Sequence, residues 1–134
     1  MTAPRIALLA DAGSVHTVRW ARGLADRGHD VHVVSLHEPS PDLTGVPVHR
    51  LSASAPQGYF LGAHAVRQRL RALGSVILHA HYATGYGTLG RLAGHHPFVL
   101  SVWGSDVLSF PDRSPVHRAL VAANLGALKR MESR

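Results

Sequence analysis

A chain of 134 residues, 46% of them hydrophobic, suits one domain with a buried core and excludes a disordered polypeptide. It has no cysteine, which excludes disulfide frameworks, thiolate-held zinc, iron–sulfur clusters and thiol catalysis. Fourteen Lys and Arg against eight Asp and Glu give a formal net charge of +6, which suits a solvated basic surface or an anionic partner, and no basic stretch is interleaved with aromatics as nucleic acid binding would need.

Residues 5–10 are a short apolar run ended by Asp11-Ala12-Gly13-Ser14, which predicts a buried strand and a turn. Val15, Val18, Ala21, Leu24 and Ala25 then recur at helical spacing up to Arg27, with Ser14 as the cap and Gly28 as the stop. Residues 31–36, rich in valine, predict a second strand. Pro39, Pro41, Gly45 and Pro47 mark a loop, and residues 48–51 a short third strand. One helix is expected over residues 59–73, with Ala63, Val66, Leu70 and Leu73 inward and Arg67, Arg69 and Arg71 mostly off that stripe. Residues 75–81 predict a fourth strand, 84–93 a short helix and 97–103 a fifth strand. Ser114-Pro115 opens a last helix that turns Val116, Ala119, Leu120 and Ala123 inward. This alternation predicts an α/β, Rossmann-like, doubly wound parallel sheet of about five strands in the order 3-2-1-4-5, with helices on both faces.

In such a sheet ligands sit outside the carboxyl ends of the strands, where strand order reverses, here between strands one and four. Residues 11–16, 81–87 and 103–106 lie on that edge. Gly13 and Ser14, at the start of the first helix, let backbone N–H groups approach an anion, although an ordinary tight turn explains them as well. His16, in the first helical turn, is a ligand contact or a surface histidine. His79 and His81 are read as pointing to opposite faces of the fourth strand, which argues against a shared metal, and no metal site is expected. His81 is nearer the carboxyl end and is the better substrate contact. Gly85, Gly87 and Gly90 spell G-x-G-x-x-G, with Asp106 roughly 20 residues on, as in a dinucleotide fingerprint. That fingerprint belongs to the first strand–helix unit and this one follows the fourth, which favours close helix–strand packing as the reason for these glycines. In Trp103-Gly104-Ser105-Asp106, Trp103 is suited to stack on a sugar ring and Ser105 and Asp106 to bond hydroxyls; a plain turn closed by Asp106 is the alternative.

Four strings, in this order, resemble the N-terminal domain of GT-B glycosyltransferases of glycosyltransferase family 4, over nearly the whole chain. They are residues 13–20, residues 23–31, His79-Ala80-His81-Tyr82-Ala83, and Ser101-Val102-Trp103-Gly104-Ser105-Asp106-Val107. The resemblance implies two Rossmann-like domains facing across a cleft, an N-terminal one for the acceptor and a C-terminal one for a nucleotide-sugar. By it, residues 1–128 are the acceptor-side domain, residues 129–134 a polar tail, and the donor-binding domain is absent. Gly13 and Ser14 would approach the donor phosphate; His16, His81, Tyr82, Trp103, Ser105 and Asp106 would line the acceptor side. Many relatives carry His where this chain has Trp103, so no catalytic residue is assigned.

The implied activity is retaining glycosyl transfer, with none expected of this chain alone and no cofactor of its own beyond the nucleotide-sugar of the complete enzyme. The implied partners are a donor-binding domain, in cis or as a separate chain, and a sugar, lipid or metabolite acceptor. An anionic membrane under the arginines of residues 59–73 and a second chain pairing with the edge of the fifth strand complete the list. With no leader and no apolar run near the roughly 20 residues of a membrane span, a cytoplasmic location is expected, or a peripheral one at the inner face of the membrane. Two alternatives stand beside this: a stand-alone phosphate- or sugar-binding module, and a dinucleotide-binding protein using Gly85, Gly87 and Gly90.

Overall fold

In residues Arg5–Leu9 four apolar side chains in succession are buried, because both faces of this strand are covered; this is β1, the middle of the sheet. The computed structural model describes residues 5–53, 57–82 and 85–102. Within them β1 is followed by α1 (Val15–Asp26), β2 (Asp30–Ser35), β3 (Val48–Arg50), α2 (Gly58–Leu61), α3 (Ala63–Leu73), β4 (Val76–His81), α4 (Tyr86–Ala93) and β5 (Phe98–Ser101). Every pairing is parallel and the order is β3-β2-β1-β4-β5. The predicted strand number, order and parallel pairing are those observed. The last helix expected after Ser114 and the polar tail lie outside the described residues.

Alternation along the strands divides the core into two layers. Leu9, Val34 and Leu78 face one way and pack with Val66, Leu70 and Leu73 of α3 and Leu89 of α4. Ile6, Leu8, Val31 and Val33 face the other way and pack with Val18 and Ala21 of α1 and with Leu43 and Val46 of the loop before β3. Each fully buried Leu of this kind contributes roughly 1.5–3 kcal/mol.

Two helical expectations change. Val15 belongs to the apolar repeat of α1 but, as the first residue of the helix, is 58% exposed. The single helix over residues 59–73 is two pieces, α2 and α3, interrupted at Gly62. A side chain there would place its Cβ 2.6 Å from the Gly58 carbonyl oxygen, so only glycine lets the chain turn this tightly between them.

The second and third glycines of the G-x-G-x-x-G string, Gly87 and Gly90, have a packing cause. A Cβ on Gly87 would fall 2.3 Å from the Tyr82 carbonyl oxygen, and one on Gly90 2.7 Å from the Phe98 ring. Bare glycines let α4 lie directly against the end of β4 and against β5.

Candidate functional site at the carboxyl rim of the sheet

The first strand ends in a turn that organises itself around Asp11. Its side-chain oxygen accepts the Gly13 N–H at 2.8 Å and its carbonyl accepts the Ser14 N–H at 3.0 Å. Ser14 then caps α1, its hydroxyl oxygen accepting the His16 N–H at 3.2 Å. Gly13 sits in a crowded place, since a Cβ would lie 3.1 Å from the Glu38 carbonyl oxygen. The amides of Gly13 and Ser14 are therefore turned onto Asp11 in this structure.

On the α1 side of the rim the two strand histidines meet. They do not point to opposite faces: residues two apart on a strand share a face, and the His79 and His81 rings lie 4.8 Å apart. Trp20 of α1 packs edge-on to both, at 5.1 Å from His79 and 5.6 Å from His81. His79 Nε2 is 2.6 Å from the Ser101 hydroxyl of β5. Burial pushes the His81 imidazole down to about 3, with the charges of His79 and then His16 adding to the effect. Burial also lowers His79. Both rings are thus neutral at physiological pH, each with one donor and one acceptor nitrogen. His16, exposed at the start of α1, is close enough for its charge to act on His81.

Tyr82 follows His81 with φ 79, the left-handed region that a tyrosine enters at a cost of about 1–3 kcal/mol. Its N–H is held by the Ser101 carbonyl at 2.8 Å. Such strain at the end of a central strand marks a residue that the surrounding structure holds in place.

On the α3–α4 side, the carboxyl end of β2 meets the start of α4. The Tyr86 hydroxyl is 3.1 Å from the Ser35 hydroxyl, accepts the Leu36 N–H at 3.0 Å, and lies 2.5 Å from His37 Nδ1. Ser35 Oγ also accepts the N–H groups of Ala12 and His37, each at 3.0 Å. Tyr59 of α2 packs against the Tyr86 ring at 5.2 Å, and burial, followed by the Asp11 charge, raises its phenol. None of Ser35, His37, Tyr59 and Tyr86 stood among the expected site residues, nor did Trp20 and Ser101.

Among the predicted site residues, Gly13, Ser14, His16, His81 and Tyr82 are gathered at one rim. Trp103, Ser105 and Asp106 lie outside the described residues. Among the described residues no group of three or more His, Cys, Asp or Glu is placed to hold a metal ion. No helix among them is long and apolar enough to cross a membrane.

A five-stranded parallel sheet wound on both faces, with its ligand-facing loops at one rim, defines a Rossmann-like α/β domain. The glycosyl transferase 4-like family model matches residues 5–132, nearly the whole chain, and the chain belongs to that family. No curated protein matches it.

Proposed function

We propose that this domain is the acceptor-binding side of a retaining, nucleotide-sugar-dependent glycosyltransferase. The observation that supports this most is the convergence of His16, neutral buried His81 and strained Tyr82 on the crevice between β1 and β4, in a chain of this family. A neutral imidazole both donates and accepts, which matches a sugar hydroxyl. In this reading His16, His81, Tyr82, Trp103, Ser105 and Asp106 hold the acceptor, and the Gly13–Ser14 turn meets the donor phosphate once Asp11 yields its hold on those amides.

Transfer needs donor and acceptor fixed in attack geometry, and the rim is one wall of such a site. A donor-binding domain, in the same polypeptide or a second chain, supplies the other. The 134-residue protein alone is then expected to turn over no nucleotide-sugar. With the donor-binding domain supplied, His16→Ala and His81→Ala each lower transfer by about 100-fold. Turnover by the isolated chain, or full transfer by both variants, overturns the corresponding half of the proposal.

A second reading concerns location. Phe60 and Leu61 of α2 are 51% and 77% exposed, just before α3 and its exposed Arg67, Arg69 and Arg71. Apolar side chains followed by arginines suit a peripheral contact with an anionic bilayer at the inner membrane face.

A further inference from the structure

Between Asp42 and Asp106 the sequence has no acidic residue, yet it carries Arg50, Arg67, Arg69, Arg71 and Arg91. Helices α3 and α4 thus bring positive charge with no carboxylate of their own to balance it. Arg67 and Arg71 are four residues apart and share one face of α3. Both are exposed, and among the described residues neither is paired with a carboxylate. Together they line a cleft of about 230 Å³ between the ends of α3 and α4. Leu70 and Ala93, both buried, give it an apolar lining. Gly74 and Gly94, which end the two helices, place no side chain over it. His95 also lines it, held in place by donating its Nε2 hydrogen to the Val76 carbonyl at 2.7 Å. The cleft therefore lies where the chain enters β4 and β5, at the edge of the sheet opposite the rim.

We propose that this cleft is a second binding site, which takes a small phosphate monoester between Arg67 and Arg71. It stands apart from the acceptor-side reading and does not depend on it. The carbonyl ends of α3 and α4 reach the same edge, each worth roughly half a negative charge, and two full guanidinium charges outweigh them. A carboxylate has two oxygens, which one guanidinium fork satisfies. A phosphate monoester has three terminal oxygens and serves both forks. The volume falls below the roughly 300–1,000 Å³ of sites for drug-sized ligands, which excludes a nucleotide and suits a short ester. Leu70 and Ala93 suit its alkyl part. Two sources share this chemistry: the head group of phosphatidate in a bilayer, and a free ester such as glycerol 3-phosphate.

Titration of the full chain with glycerol 3-phosphate is expected to move the His95 imidazole signals saturably, while glycerol and acetate leave them in place. Arg67→Gln and Arg71→Gln should each weaken binding by about tenfold. Arg69→Gln removes the same charge from the same helix. Arg69 does not line the cleft, and its charge acts instead on His49 of β3. Affinity in that variant should stay within about twofold, since a screened distant charge contributes little. All three arginines are exposed, so the variants are expected to keep the denaturation midpoint of the parent. Vesicles of phosphatidate that displace glycerol 3-phosphate assign the site to a lipid head group; vesicles that fail to displace it assign a free ester. The absence of a saturable response, an equal response to acetate, or an equal loss in Arg69→Gln overturns the proposal.

Discussion

Gly87 faces the Tyr82 carbonyl with no room for a methyl group, the shortest approach of any described glycine. Retreat of its backbone is opposed on the same helix by Gly90, which packs against the Phe98 ring of β5. Gly87→Ala is expected to destabilise the fold by about 1–3 kcal/mol through overpacking, read as a lowered denaturation midpoint. An unchanged midpoint would show that α4 stands further from β4 than described. The same residue shows what was legible in the sequence. The G-x-G-x-x-G spacing was visible, and its place after the fourth strand already favoured packing over a dinucleotide. His79 and His81 were visible too, and the period of two along a strand puts them on one face, contrary to the opposite faces expected of them. His37 escaped for a different reason. It lies away from the crevice between β1 and β4, and only the Tyr86 side chain carries the rim across to the carboxyl end of β2, a contact that spans 49 residues of sequence.

At the scale of elements, β1, β2 and β4 could be read from runs of apolar residues, and α1 from its cap and spacing. The α2–α3 break could not, because the helical stripe continues through Gly62 and the constraint is a carbonyl one turn away. The break has a use in the membrane reading: it presents Phe60 and Leu61 outward, where a straight helix would rotate with α3. The protein is expected to sediment with vesicles rich in acidic phospholipid and not with neutral ones. Phe60→Ser with Leu61→Ser should release it while the fold persists, since neither side chain is buried. Equal binding to both kinds of vesicle, or none, removes this role from α2.

Over the whole molecule, two buried histidines make stability depend on pH. Folded His81 titrates near 3 and folded His79 below its ordinary value, whereas both take a proton near 6.5 in the unfolded chain. On acidification the unfolded state therefore binds protons first. This stability is fully present above about pH 6.5 and is lost as pH falls, for His81 down to about 3, by at most about 1.4 kcal/mol per pH unit; His79 acts in the same direction. Urea midpoints measured from pH 7.5 to 4.5 should fall accordingly, and His81→Gln should flatten the decline. A decline of the same steepness in that variant would place the acid sensitivity elsewhere, for example at His49, which burial also lowers.

The contact between Gly87 and Tyr82 joins the two halves of the rim. No side chain cushions it, so a ligand that pushes on Tyr82 pushes on α4, and the first residue of α4 is Tyr86. From Tyr86 the displacement reaches His37 through a single hydrogen bond. Gly87 thus ties the end of the strand that carries His81 to the helix whose first residue holds His37, giving the domain a short mechanical link between its two histidine-bearing edges.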